Sequence, residues 1–438
     1  MKKTYAKDVF ISGFALFAMF FGAGNLIFPP YLGWSSASNW FLGFLCFIIT
    51  DIGLSMLGII VVGKVGKGAQ GVTEPLGKFF SILLLAVDVI CLGPLIAIPR
   101  TAATTFEFAI LPNFTNINSW VFSIIFFAIV VTLSIKQTKA VDIVGAVLAP
   151  IMFIALILLI IKGTLSPLGF AERTTVVGTV VSDGIKAGYQ TMDMMGAIIM
   201  ALALTFSMKS KGYTEPKQQF KMISQAGIIS SIALFSVYGG LAYLGSTVSS
   251  VFSSNMSQAE LLIAITSGLL GKSGIILLGV IVAFACITTA IGLLSSASTF
   301  FEEISNGKFK YKTNIIVGAV ISCFVSNLGI SAIINFAAPI LDLIYPVLIV
   351  LIVLGAFNGK IKNLNIHKAA SLGAFAVSLA TLIQNITGIN LGINMLPLNN
   401  IGFGWLIPSV VMGIVGSFIK KSEVHVKNIL SKEPRKLN

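Results

Sequence analysis

Charge is what this chain has least of. Asp, Glu, Lys and Arg make up only 10% of its 438 residues, and the mean hydropathy is +0.96. No soluble fold of this size buries that much apolar surface, so the chain is read as an all-α polytopic membrane protein. Histidine is nearly absent. His367 and His425 fall in polar segments and are read as solvated. The four cysteines, Cys46, Cys91, Cys286 and Cys323, sit in apolar runs without ligand spacing and read as packing thiols. No His-Glu zinc motif, paired aspartates or serine dyad occurs at helical spacing, which argues against an intramembrane hydrolase. No P-loop is present, which excludes ATP-driven pumping within the chain. Neither a repeated filter motif nor rings of charge, the marks of a channel, are found.

The charge that is present is lopsided, with a net excess of +13. Such an excess can mark a nucleic-acid binder, but these cations lie in short stretches between apolar runs. Runs of roughly 17–25 apolar residues mark membrane spans. Twelve are placed at 8–30, 38–63, 77–110, 118–135, 140–162, 178–208, 219–245, 273–301, 312–328, 331–357, 367–388 and 401–420. With the N-terminus in the cytoplasm, 24 of the 29 Lys and Arg residues fall on the cytoplasmic side. Only Arg100, Lys162, Arg173, Lys186 and Lys272 fall outside. That asymmetry predicts twelve spans with both termini cytoplasmic; the expected location of this multi-pass protein is a bacterial-type plasma membrane. Met1-Lys2-Lys3 before an apolar stretch resembles a secretory leader. Gly22-Ala23-Gly24-Asn25 and Pro29-Pro30 inside that stretch identify it instead as the first span.

A helix in hydrocarbon keeps its backbone hydrogen bonds closed, because an unpaired amide there costs several kcal/mol. Two glycines and an asparagine in mid-span therefore invite the first span to open. An opened helix presents N–H groups on one side of the gap and C=O groups on the other, suited to a carboxylate and a small cation. Gly188-Tyr189-Gln190-Thr191-Met192-Asp193 interrupts the sixth span in the same manner. Breaks in the first and sixth spans predict a single transporter domain, 1–438, built on two inverted five-helix repeats. These are 8–162 (spans 1–5) and 178–357 (spans 6–10), followed by two extra helices in 367–420 and a cytoplasmic tail, 421–438.

Four segments resemble one family. They are Phe20 to Pro30, Gly93-Pro94-Leu95-Ile96-Ala97-Ile98-Pro99-Arg100-Thr101, Gly188 to Asp193, and Ala285-Cys286-Ile287-Thr288-Thr289-Ala290-Ile291-Gly292. Together, in this order, they are similar to the BrnQ-type branched-chain amino acid:cation symporters, over nearly the whole chain. The resemblance implies a LeuT-type fold and uptake of Leu, Ile and Val, usually driven by Na⁺.

The substrate this implies is a zwitterion with an apolar side chain. Amides near Gly22, Ala23 and Gly24 supply donors for its carboxylate, and released carbonyls of spans 1 and 6 accept its ammonium. Asn25, Tyr189, Gln190 and Thr191 add polar contacts; close helix packing is the alternative use of Gly-x-Gly. By similarity to LeuT-type sodium sites, Na⁺ is expected between the carbonyls of Ala18, Phe21 and Ala285 and the hydroxyls of Thr288 and Thr289. The alternative is that these threonines bond back to their own helix. Asp193 either caps the second half of span 6 or touches the ligand. Arg100 and Glu107, seven apart on span 3, form an ion pair, as an outer gate or a structural pair. Asp51, Asp88 and Asp342 are further intramembrane charges, which are functional candidates by default; a titrating aspartate couples H⁺ in place of Na⁺. A twelve-span carrier of another fold is the topological alternative. The partners expected are the amino acid and the lipid bilayer, with no nucleic acid and no required protein partner evident.

Overall fold

The computed structural model describes residues 2–65, 68–114, 116–135, 149–171, 175–210, 212–252, 256–357, 360–361 and 363–419. The tail 421–438, the opening 140–148 of the expected fifth span, Arg173 and His425 lie outside the described residues.

Among the described residues every regular element is helical. The first span runs as Lys2–Phe20 and Ala23–Ser36, the second as Trp40–Ile48 and Leu54–Val65. The third follows through Lys78–Ile90 and Ala97–Thr105, and the fourth and fifth are Ser119–Ser134 and Ala149–Leu165. The sixth is Val177–Thr191 and Asp193–Ser210, the seventh Pro216–Thr247. The eighth, Gln258–Ile304, is kinked at Gly271, which holds a φ of 64°. Tyr311–Ser326, Ile330–Ala356, Leu364–Thr387 and Leu406–Phe418 complete the order. Among the described residues, six helical stretches are long and apolar enough to cross a membrane, and four shorter helices are also apolar.

The molecule is apolar outside and polar at its centre. Exposed Ile124, Ile125, Ile316, Val317, Val410 and Val411 form lipid-suited faces, while Asn25, Asp51, Asp88, Arg100, Thr191 and Asp193 are buried. Without water in hydrocarbon, polar groups are tolerated only where protein surrounds them. Three π-helical turns, Ile49–Gly53, Cys91–Leu95 and Phe106–Ile110, re-aim spans 2 and 3. Each adds a residue to one turn and rotates everything beyond it, a device that recurs at functional sites. Gly93 and Pro94 lie in the second of these turns, where Gly93 leaves helical geometry altogether (φ −88°, ψ −122°).

His367 is a correction to the sequence reading. It is 5% exposed, not solvated. Its helix begins at Leu364, earlier than expected, which puts His367 a turn inside. Spans 11 and 12 pack there through small residues: a side chain at Gly416 would press on the Asn365 carbonyl, and one at Gly373 on that of Pro408.

The second half of span 1 lies backbone to backbone against span 7. A Cβ at Gly33 would overlap the Ala242 carbonyl, and one at Gly245 would overlap that of Pro30. The two glycines thus permit the same contact from opposite sides. Gly33→Ala and Gly245→Ala should each lower the melting temperature in detergent, since overpacking costs about 1–3 kcal/mol. Gly292→Ala, which meets nothing within 4 Å, serves as the control and should melt with the parent.

Candidate functional site

Both expected breaks are present. In span 1, Phe21 N–H still reaches the Phe17 carbonyl at 2.7 Å, but Gly22 N–H turns to the Phe20 carbonyl at 2.8 Å. Gly22 is extended (φ −106°, ψ −165°), and the helix restarts at Ala23. The opening therefore lies at Phe21–Gly22, and Ala23, Gly24 and Asn25 form the first turn of the second half. First-turn amides lack partners within their own helix. In span 6 the break is a single residue. Met192 takes left-handed geometry (φ 68°, ψ 16°) between Thr191 and Asp193.

Side chains bind the two breaks together. The Asn25 amide donates to Asp193 Oδ2 at 2.7 Å and to the Tyr238 hydroxyl of span 7 at 2.6 Å. Thr191 Oγ1 lies 2.8 Å from Asp51 Oδ1, to which it donates, and 2.7 Å from the Gly188 carbonyl. The π-turn in span 2 carries Asp51 to this point, where its carboxyl comes within hydrogen-bonding reach of Asp193. Gly188 is needed for closeness, because a side chain there would collide with Thr50.

Arg100 corrects a second reading. It does not turn to Glu107. Its Nη1 donates to the Gln190 carbonyl at 2.7 Å and its Nη2 to the Thr191 carbonyl at 3.2 Å, at the end of the first half of span 6. Glu107 instead accepts the Ile330 amide at 3.0 Å, where span 10 begins. Seven residues make two turns of a regular α-helix, but span 6 offers Arg100 two carbonyls and span 10 offers Glu107 an amide, and each side chain is taken by its neighbour span.

The expected ion ligands separate into two kinds. The Thr288 hydroxyl donates to the Ala285 carbonyl of its own helix at 2.8 Å. The Thr289 hydroxyl is buried without a partner. It faces the first break, 3.6 Å from where a Cβ on Gly22 would stand. Ala18, Phe21 and Ala285 are buried nearby in sequence but line no part of the cavity described next.

That cavity lies between the breaks. Gly22, Ala23, Asn25, Arg100, Thr191, Asp193 and Thr289 give it polar surface, and Met19, Phe20, Leu92, Met200 and Leu293 give it apolar surface. The space open to the centre of a water-sized sphere is about 30 Å³, where a single water needs roughly 10–15 Å³. It leans toward the first half of span 1 and the second half of span 6. On the opposite side Tyr189 and Tyr345 stack with ring centroids 4.6 Å apart. Tyr189 thus contributes a ring to a seal, and Gln190 contributes its carbonyl to Arg100; neither lines the cavity. One turn before that stack, Lys186 and Asp342 are both exposed and interact electrostatically. Asp88 is fully buried with neither carboxyl oxygen hydrogen-bonded. Tyr238 was not anticipated from the sequence; an isolated tyrosine in an apolar span was the available signal.

The sequence matches the family of branched-chain amino acid transport proteins over residues 5–423. The chain belongs to that family. A branched-chain amino acid permease of Bacillus subtilis is 35% identical over 94% of this transporter and 95% of its own length. The fold is that of solved symporters of much lower identity. Mhp1, a nucleobase-cation-symport-1 family transporter in a closed conformation, superposes with a TM-score of 0.62 at 15% identity. That match covers 93% of this transporter and 91% of Mhp1. A Na⁺-coupled sialic acid symporter in a substrate-bound outward-open state gives 0.62 at 14% identity, covering 95% and 91%. The LeuT-type architecture expected from the sequence is therefore the architecture of this transporter, and it is not an enzyme.

Asn25 is the tie whose loss is most readable. Asn25→Ala removes the donor of a buried carboxyl oxygen and of a buried hydroxyl, at about 1–3 kcal/mol for each group left unpaired. The variant should melt well below the parent in detergent. Asn25→Asp should melt lower still, because it sets a third carboxyl beside Asp51 and Asp193.

Proposed function

We propose that this transporter is a secondary symporter that imports Leu, Ile and Val with Na⁺ by alternating access. The observation that carries the reading is the meeting of two broken spans around one cavity, lined by the first turn of the second half of span 1, the buried Asp193 carboxyl and an unpartnered Thr289 hydroxyl. In this reading Gly22, Ala23, Gly24, Asn25 and Thr191 contact the amino acid. Na⁺ sits between spans 1 and 8, on the carbonyls of Ala18, Phe21 and Ala285 with Thr288 and Thr289. The family and the Na⁺-coupled structural neighbour support this assignment.

Among the described residues, the ionisable side chains buried in the spans include Asp51, Asp88, Asp193 and Arg100. A cation moving inward down the membrane potential gains about 2.3 kcal/mol per 100 mV. That is sufficient to concentrate the substrate more than tenfold. The repeats are taken as 8–162 and 178–357, with 367–420 added outside them and both termini cytoplasmic. Rocking of spans 1, 2, 6 and 7 against the remainder exposes the site to each side in turn. Since the cavity holds little more than water, amino acid binding requires the walls to separate.

One observation favours a second reading, coupling to H⁺. Asp51 and Asp193 lie within reach of each other, and two carboxyls at such a distance share a proton. Transport in proteoliposomes separates the readings. Leucine uptake should require an inward Na⁺ gradient, and Thr289→Ala should raise the half-saturating Na⁺ concentration by about tenfold. Thr288→Ala should shift it less, since that hydroxyl is already satisfied by its own helix. Uptake driven by a pH gradient without Na⁺, and lost in Asp51→Asn, would establish the proton reading instead. Uptake of an unrelated solute but not of leucine would overturn the substrate assignment.

A further inference from the structure

We propose that Arg100 is the ligand for the substrate carboxylate, acting together with the first-turn amides of Ala23, Gly24 and Asn25. The proposal rests on the substrate reading above and assigns Arg100 a role beyond a gate or a structural ion pair.

The guanidinium is 5% exposed and lies deep in the protein. A charge so placed in a membrane span is costly and marks function. Guanidinium carries five N–H donors in a rigid fork. Two of them go to the Gln190 and Thr191 carbonyls. Nε is buried with no partner, so donor capacity remains. The group also sits on the restart of span 1: a Cβ on Gly24 would be 2.8 Å from Nη2, and the guanidinium carbon lies 5.8 Å from the Phe28 ring centroid. Glycine at position 24 is what permits that approach. A planar cation and a helix N-terminus thus converge from two spans on one wall of the cavity. Each alone favours an anion.

The remaining walls select which anion. Asp193 lines the same cavity, so a carboxylate on Arg100 has an acceptor for a neighbouring ammonium. Met19, Phe20, Leu92, Met200 and Leu293 give apolar surface for the rest of the ligand. The complementary chemistry is an α-amino acid zwitterion with an aliphatic side chain. Because the same guanidinium holds the end of the first half of span 6, a carboxylate bound to it ties the span 1 break, the span 6 break and span 3 into one unit. An amine of identical shape without the carboxylate leaves that unit open.

The competing account is that Arg100 only caps the two carbonyls of span 6. Equilibrium binding of leucine and of leucinamide to purified full-length protein distinguishes the two. The parent should bind leucinamide at least about tenfold more weakly than leucine. In Arg100→Gln leucine should lose most of its advantage over leucinamide, while leucinamide stays where it was. Arg100→Lys should recover part of the difference. Gly24→Ala, which displaces the guanidinium without removing it, should narrow the difference as well. If Arg100→Gln does not fold, Arg100→Lys and Gly24→Ala carry the test. Equal binding of both ligands by the parent overturns the proposal, as does an equal loss of both in the variants. Absence of leucine binding to the parent overturns the substrate reading itself, a distinct result.

Discussion

A helix interrupted inside a bilayer leaves amides and carbonyls that water does not reach, and the arrangement at the centre of this protein follows from that constraint. The protein meets it by setting one break against the other. The Asn25 amide, which restarts span 1, is spent on Asp193, which restarts span 6, and on Tyr238 of span 7. Thr191 carries the chain of contacts on to Asp51 in span 2. Arg100, from span 3, closes the Gln190 and Thr191 carbonyls at the end of the first half of span 6. Polar groups of five spans thus meet at one point, in a molecule whose outer faces are apolar. Satisfaction is incomplete at Thr289 Oγ1, Arg100 Nε and Asp51 Oδ2. Buried polar groups left without partners are rare in folded proteins, and the first two of these belong to residues that line the cavity.

Much of this was legible in the sequence, for definite reasons. Apolar length marks spans because the hydrocarbon thickness is fixed. Gly22 to Asn25 and Gly188 to Asp193 stood out because glycine and polar residues in mid-span are costly without a purpose. Thr288 and Thr289 stood out only through the resemblance to LeuT-type sodium sites, and the structure leaves the Thr289 hydroxyl buried without a partner. The positions of the breaks were not readable to the residue. The first falls at Phe21–Gly22, ahead of the expected centre, and the second rests on a left-handed Met192 that no propensity predicts.

What failed depended on how the spans pack. Arg100 and Glu107 are spaced to meet along one helix, but carbonyls of span 6 and an amide of span 10 take them instead. Asp51 had no evident partner in the sequence because Thr191 and Asp193 are 140 and more residues away and meet it only after the spans pack. His367 was judged by the polarity of its neighbours, whereas its exposure is decided by the small-residue face between spans 11 and 12.

The two halves of span 1 are both held to span 7. The second half is fixed through backbone at Gly33 and Gly245, with no side chain between. The first half meets the same helix at Gly13, where a Cβ would stand 2.8 Å from the Ile229 Cβ and 3.2 Å from the Ala226 carbonyl oxygen. Neither contact yields to a change of rotamer, because Cβ and carbonyl positions are set by the backbone. Both halves of span 1 are therefore welded to span 7, and the interruption in the weld, at Phe21 and Gly22, lies at the wall of the cavity.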